Sequence, residues 1–125
     1  CDLQGCRSVT YRLFQSCGCA AYVPDCSGRL DFGELEDVVQ RSPYLVHLDI
    51  TGCGLSELPD FAGSPRLIEL YASHNGNLTV PDLSGLEALQ MLRVRNNSLT
   101  HLPDLSGSPN LVLLDAGDND VSELP

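Results

Sequence analysis

The sequence predicts an α/β solenoid, in which short parallel strands stack into one sheet and turns or 3₁₀ segments carry the chain back between them. Two observations predict this fold class. A 22-residue period runs through four copies without an insertion, which aligns Leu45, Leu67, Leu89 and Leu111. Apolar residues alternate at the start of each copy, as they do along a half-buried strand. One such strand cannot bury its apolar side alone, so the copies must stack to share a core.

Each copy begins with a predicted strand of the form L-x-x-L-x-apolar. Alternate residues of a strand point to the same side, so two columns of each strand point inward. The inward columns contain Leu48, Leu70, Leu92 and Leu114, followed by Ile50, Ala72, Val94 and Ala116. The next column, where the chain leaves the strand, contains Cys53, Asn75, Asn97 and Asn119.

The second half of each copy contains proline directly after an apolar residue and returns the chain. Proline fixes φ and removes a backbone donor, so this half favours a turn or a 3₁₀ segment over an α-helix. The aspartates that follow the prolines are predicted to cap these turns: Asp60, Asp82 and Asp104. Stacked carboxylates also suit calcium. A repeated cap needs no ion, however, and the repeat supplies no further matching oxygens, so no metal site is predicted.

The repeat L-x-x-L-x-apolar-x-x-N-x-L-x-x-L-P-D-L-x-G resembles that of leucine-rich repeat proteins, and the resemblance covers Leu45 to Pro125. It implies an arc with a short parallel β-sheet on the concave face and turns or 3₁₀ segments on the convex face. It also implies an asparagine ladder, in which buried side-chain amides satisfy backbone groups of neighbouring repeats. Cys53 stands at the asparagine position of the first repeat, a replacement that the family pattern allows.

Five of the six cysteines precede Ser27, namely Cys1, Cys6, Cys17, Cys19 and Cys26. Such density in a short chain indicates disulfides and an oxidising compartment. The stretch CGCAAYVPDCSGRL, from Cys17 to Leu30, resembles the disulfide-bonded N-terminal cap of extracellular leucine-rich repeat proteins. This resemblance divides the chain into a cap with a short helix, residues 1–44, and four repeats, residues 45–125, of which the last is incomplete. It also implies pairing of Cys6 with Cys19 and of Cys17 with Cys26.

Cys1 and Cys53 are left over by that pairing. Two interpretations follow, and other pairings of these cysteines also stay open. If they pair, the cap is attached to the first repeat and all six cysteines form disulfides. If Cys53 is a buried thiol in the ladder, Cys1 is unpaired and available for a lipid or an intermolecular crosslink. Zinc is not predicted, because the C-x-C spacing differs from that of paired C-x-x-C sites.

Between the cap and the repeats, a short helix is predicted in the segment DFGELEDVVQRSPY. Leu35, Val38 and Val39 recur there at helical spacing, and Pro43 ends the helix. The alternative is an irregular first repeat. The acidic residues of this segment are predicted to face solvent.

Two N-glycosylation sequons, Asn77-Leu78-Thr79 and Asn96-Asn97-Ser98, support a secreted or cell-surface location and predict N-linked glycans. Asn96 precedes a ladder asparagine and is expected to face solvent. Asn77 stands in a column that elsewhere contains Leu55, Leu99 and Val121. It therefore either turns outward, with Leu78 taking its place in the core, or distorts the loop.

Binding is predicted rather than catalysis, and no cofactor is predicted. The sequence contains no G-x-S-x-G, phosphate-loop or H-E-x-x-H motif. Its net charge of −10 argues against nucleic acid and anionic membranes as partners, and it contains no membrane-spanning run.

The resemblance implies that strand residues alternating with the core leucines form an exposed concave sheet. Here they are His47, Asp49, Thr51, Glu69, Tyr71, Ser73, Met91, Arg93, Arg95, Leu113, Asp115 and Gly117. Tyrosine, methionine and arginine are enriched at protein interfaces. The predicted contacts with a protein partner are Glu69, Tyr71, Met91, Arg93, Arg95 and Asp115.

The alternative prediction is a structural subunit of an extracellular assembly. The last repeat stops at Pro125 without a closing cap, and an open strand edge with an apolar end invites pairing with another chain. Subunits joined head to tail in this way would build a filament, because such a contact does not close on itself.

Overall fold

A computed structural model describes residues 21–24, 26, 30–80, 83 and 85–121. Within these residues lie β1 (Ala21–Tyr22), α1 (Phe32–Gln40), β2 (His47–Asp49), β3 (Glu69–Tyr71), β4 (Met91–Arg93) and β5 (Leu113–Asp115). Some predictions concern positions outside the described residues, namely Cys1, Cys6, Cys17, Cys19, Asp82 and Pro125.

The strands form one parallel sheet in chain order. From β2 onward each strand begins one sequence period after the last, and the paired residues keep that offset: Leu48 with Leu70, Leu70 with Leu92, and Leu92 with Leu114. A parallel sheet with a helix confirms the predicted α/β class. The number of residues from the start of β1 to the start of β2 exceeds the repeat period by roughly the number in one helical turn. That interval contains α1, whereas the later ones contain turns.

Helix α1 forms as predicted, with a capped start and one apolar side. The Asp31 carboxylate accepts a hydrogen bond from the Gly33 N–H at 3.1 Å and so caps the first turn. The helix ends at Gln40, before Pro43. Its buried residues are the predicted Leu35, Val38 and Val39.

The inward columns of the strands form the core. Leu48, Leu70 and Leu92 have no exposed surface. Tyr22 extends their column into β1, where it pairs with Leu48 and is 3% exposed. The same column is partly exposed to solvent at the edge strand β5, where Leu114 is 36% exposed.

The return segments are tight turns, as their prolines predict. Backbone hydrogen bonds of 2.9–3.0 Å join residues three apart: Ser64 to Phe61, Leu86 to Leu83, and Ser108 to Leu105. Two of the predicted aspartate caps are confirmed, since Asp60 accepts from the Ala62 N–H and Asp104 from the Ser106 N–H, each at 2.9 Å.

Cys26 and Cys53 form a disulfide, with their Cα atoms 4.9 Å apart. The predicted pairing of Cys17 with Cys26 is therefore wrong. Both interpretations of Cys53, as a partner of Cys1 and as a buried thiol, are wrong for the same reason.

The register between β1 and β2 explains this pairing. Tyr22 of β1 lies beside Leu48 of β2. Cys26 follows closely after Tyr22, and Cys53 follows at a similar distance after Leu48, so both cysteines leave the same end of two adjacent strands. Parallel strands lie about 4.8 Å apart, which brings the two within reach of a disulfide.

The asparagines that follow the strands form the predicted ladder, and each side chain bonds to the preceding repeat. The side-chain oxygens of Asn75, Asn97 and Asn119 accept from the backbone N–H groups of Cys53, Asn75 and Asn97 at 2.8–2.9 Å. Each side-chain amide donates to a carbonyl of the preceding repeat and to one of its own repeat, at 2.9–3.2 Å. Asn97 is 1% exposed. In the described part of the chain, no buried side-chain nitrogen or oxygen lacks a partner.

The turn before each ladder position needs left-handed backbone. The preceding residue has positive φ in every repeat: Gly52 at 69°, His74 at 61°, Asn96 at 57° and Asp118 at 55°. Glycine adopts this conformation without strain, whereas a side chain there costs roughly 1 kcal/mol.

Asn77 turns outward, which confirms the first of the two predicted alternatives. Its side chain is exposed, and Leu78 is only 2% exposed, close to the 4% of Leu55 and the 7% of Leu99. Leu78 therefore fills the core position that Asn77 vacates. Thr79 rejoins the repeat register in an isolated parallel bridge.

Gly63 packs its backbone against the end of α1, and Gly63→Ala is expected to lower the free energy of unfolding by about 2–3 kcal/mol. A methyl group at Gly63 would overlap the Gln40 backbone. The neighbouring Ser64 hydroxyl donates to the Val39 carbonyl at 2.6 Å and holds the two segments together. Equilibrium urea unfolding measures the loss. Gly85→Ala is the matched control, since Gly85 occupies the same repeat position and a methyl group there meets no atom within 4 Å. Equal losses in the two variants would contradict this account.

Candidate interaction surface

The predicted contact residues lie together on the exposed face of the sheet. They are Glu69, Tyr71, Met91, Arg93, Arg95 and Asp115. Parallel pairing places residues one period apart side by side, so Tyr71 lies beside Arg93 and Arg93 beside Asp115. Together with His47 and Asp118, which contact them, these residues are named the sheet-face cluster.

Glu69 joins the first half of the sheet-face cluster. Its Oε2 accepts a hydrogen bond from Tyr71 Oη at 2.7 Å and lies 3.0 Å from His47 Nδ1. The His47 and Tyr71 rings meet edge to face, with centroids 5.1 Å apart, and Tyr71 Oη lies 3.6 Å from Met91 Sδ. The hydrogen bond between Tyr71 and Glu69 lowers the pKa of Glu69 and raises the pKa of Tyr71, because it stabilises the carboxylate and the protonated phenol.

Arg93 connects the two halves of the cluster. Its Cζ lies 5.4 Å from the Tyr71 ring centroid, which is a cation–π contact. Its Nη1 lies 3.7 Å from Asp115 Oδ2, and its side chain is 46% exposed. A guanidinium carries five N–H donors, so Arg93 retains donors that face solvent.

Asp115 and Asp118 hold Arg95 in the second half of the cluster. Arg95 Nε lies 3.3 Å from Asp115 Oδ1, and Arg95 Nη1 lies 2.6 Å from Asp118 Oδ2. Gly117 leaves room for this arrangement, since a Cβ there would collide with the Arg95 guanidinium. The hydrogen bond from the Gly117 N–H, together with Arg95, lowers the pKa of Asp115.

Two cluster members were not among the predicted contacts. His47 could have been predicted from the repeat, because it stands one period before Glu69 and pairs with it. Asp118 lies beyond the strand. Its contact with Arg95 depends on the length and conformation of the Arg95 side chain, which the repeat pattern does not predict. Ser73 is the opposite case. It was predicted on the exposed face but is only 8% exposed, and its hydroxyl accepts a hydrogen bond from the Arg95 N–H at 3.0 Å.

The sheet-face cluster combines an aromatic ring, a thioether and two guanidinium groups with carboxylates that hold them in place. These side chains are already ordered by mutual contacts, so a partner that binds them incurs less loss of side-chain entropy. In the described residues, no group of three or more histidine, cysteine, aspartate or glutamate side chains is arranged to hold a metal ion. The described part of the chain also contains no helix with the length and apolarity needed to cross a membrane.

The lowered pKa values of Glu69 and Asp115 predict loss of stability in acid. Their contribution is fully present above the carboxyl pKa values of the unfolded chain, about 4, and is lost as the pH falls through the lower folded values. We expect the free energy of unfolding from urea titrations to decline as the pH falls below about 4. Glu69→Gln should decline less steeply than the exposed control Glu57→Gln, and matching slopes would refute the assignment to Glu69.

Comparison with protein-family models, with curated proteins and with solved structures finds no match to this chain.

Proposed function

We propose that this chain is an extracellular leucine-rich repeat solenoid that binds a protein partner through its concave sheet. The observation that carries the proposal is the sheet-face cluster, in which all the predicted contact residues form one ordered, half-exposed surface. The disulfide between Cys26 and Cys53 supports an oxidising location. The parallel sheet, the asparagine bonds between repeats and the tight return turns support the repeat assignment.

Tyr71 and Arg93 have the central role in this proposal. Tyr71 lies between Glu69, His47 and Met91, so its ring is held in place and offers apolar area at little entropic cost. Arg93 stacks on that ring and keeps solvent-facing donors for a carboxylate or carbonyl of the partner. Tyrosine and arginine are also the residue types that dominate binding energy at protein interfaces.

The test compares two double variants with the same substitutions on different surfaces. Tyr71→Ala/Arg93→Ala removes the centre of the sheet-face cluster. Tyr44→Ala/Arg66→Ala removes a second tyrosine–arginine pair outside the strands, in which Arg66 Cζ lies 5.5 Å from the Tyr44 ring centroid. Both variants lose one positive charge and one ring. The wild-type chain is first screened against a panel of purified extracellular domains, and surface plasmon resonance then measures the affinity of each variant for any ligand found.

The cluster variant is expected to bind at least about 30-fold more weakly than wild type, and the control variant to bind within about threefold of it. Circular dichroism on both variants verifies that they are folded. Retained affinity in a folded Tyr71→Ala/Arg93→Ala variant, or equal losses in the two variants, would refute the concave sheet as the binding surface.

A second candidate function is self-assembly through the edge strand β5. Leu114 of β5 is 36% exposed, although Leu92, in the same column, is fully buried. Val112, directly before β5, is 77% exposed. An edge strand with exposed apolar residues can pair with another chain. Light scattering after size exclusion distinguishes the two functions. The molar mass of an assembling subunit increases with protein concentration, and the Leu114→Glu variant loses this increase. A binding module keeps one molar mass at every concentration.

A further inference from the structure

A cleft with a volume of about 210 Å³ lies beside Asn77, between the loops that follow β3 and β4. No residue of the sheet-face cluster lines it. A cavity of about 150 Å³ is known to hold one six-membered ring, so this cleft has room for one sugar ring. Its walls include Asn77, Thr79, Val80, Ser98, Thr100 and His101.

The lining of this cleft matches the surface of a sugar. Thr79, Ser98, Thr100 and His101 are polar residues of its lining, and Val80 contributes an apolar wall. The Thr79 hydroxyl also donates to the Ser56 carbonyl at 3.1 Å. A pyranose likewise has hydroxyls at its rim and C–H groups on its faces. Thr100 Oγ1 lies 3.1 Å from His101 Nδ1, so these two polar groups already interact.

Asn77, which lines this cleft, stands at a repeat position that is otherwise occupied by a core residue. Its column holds the buried Leu55 and Leu99, yet Asn77 points to solvent and Leu78 fills the core instead. Asn77 also begins the sequon Asn77-Leu78-Thr79. An exposed acceptor, its sequon and an adjacent sugar-sized cleft thus occur at one place.

We propose that Asn77 carries an N-linked glycan and that the first N-acetylglucosamine of this glycan rests in the cleft. The linkage forms when Asn77 Nδ2 displaces a lipid pyrophosphate from C1 of the first sugar of a lipid-linked oligosaccharide. One N–C bond forms, one C–O bond breaks, and the amide proton passes to the base of the transferring enzyme. No oxidation or reduction is involved.

A first sugar that rests in the cleft does not cover the sheet-face cluster, because no cluster residue lines the cleft. The second sequon differs, because Asn96 directly follows Arg95 of the cluster, and its Nδ2 lies 3.1 Å from His74 Nδ1. The role proposed for the Asn77 glycan is to stabilise two neighbouring loops, since Thr79 belongs to one wall of the cleft and Thr100 to the other.

The experiment uses the full chain secreted from eukaryotic cells that attach high-mannose glycans. The Asn96→Gly substitution removes the second sequon at a position where the first repeat has Gly52 in the same left-handed conformation. Intact mass reports occupancy of Asn77. An endoglycosidase then leaves a single N-acetylglucosamine, and the Asn77→Gln variant provides a chain of the same charge without sugar.

We expect Asn77 to be occupied and the single-sugar form to melt about 3 °C or more above the Asn77→Gln variant. Thr100→Tyr fills the cleft from an exposed position, so it should leave occupancy unchanged and remove the difference in melting temperature. An unmodified Asn77 overturns the proposal. Equal melting temperatures of the single-sugar and sugar-free forms overturn the role of the cleft, as does a difference that survives Thr100→Tyr.

Discussion

Replacing both Cys26 and Cys53 with alanine is expected to lower the free energy of unfolding by about 3–4 kcal/mol. The disulfide spans a sequence separation of 27 residues, and closing a loop of that length restricts the unfolded chain by this amount. Helix α1 lies within the loop. The bridge therefore also holds the helix and β1 against the first repeat. Urea unfolding followed by far-UV circular dichroism measures the effect.

The double variant is preferable to reduction, because a reductant acts on every disulfide of the chain. It is also preferable to Cys26→Ala alone, which leaves a buried thiol at Cys53 that can form other bonds. A double variant within about 1 kcal/mol of wild type would show that β1 and α1 are held by packing, without need of the bridge.

Asn97→Ala is expected to lower the free energy of unfolding by about 3–4 kcal/mol. Asn97 is 1% exposed, and its side chain accepts from the Asn75 N–H and donates to the Ala72 and Val94 carbonyls. Both carbonyls keep another donor, from Asn75 and Asn119. The Asn75 N–H loses this side-chain acceptor inside the protein, and a cavity opens beside it, so both costs add.

Asn110→Ala is the matched control for this prediction. The Asn110 side chain is exposed and donates one hydrogen bond, to the Glu87 carbonyl at 2.9 Å. Its loss should cost less than about 1 kcal/mol, because water can replace the bond. Thermal and urea unfolding of both variants provide the comparison, and similar losses would count against the ladder as a source of stability.

Periodicity in the sequence predicted those features that depend on one repeat contacting an identical neighbour. The strand register, the inward leucines and the asparagine bonds all follow from a fixed offset, since Leu48 must meet Leu70 if the copies stack. The outward turn of Asn77 was one of two alternatives that the sequence left open, and the exposed Asn77 and buried Leu78 decide between them. The same offset brought Tyr71, Arg93 and Asp115 together before their contacts were known.

Features that depend on unlike neighbours were not predictable in this way. The disulfide of Cys53 depends on the register of β1, which is separated from β2 by a segment that contains α1 and does not follow the period. Gly63 and Gly85 are equivalent in sequence, yet only Gly63 meets a helix end. The reach of Arg95 to Asp118 is a property of one long side chain across the small Gly117.

The direction of the asparagine bonds has a consequence for vectorial folding. Each side-chain oxygen serves the repeat before its own, as when Asn119 accepts from the Asn97 N–H. A ribosome releases the chain from its N-terminus, so one repeat cannot complete its turn until the asparagine of the next has emerged. We therefore expect each repeat to reach its native structure only after the following repeat has been synthesised. The asparagine of that following repeat then completes the hydrogen bonds of the repeat before it.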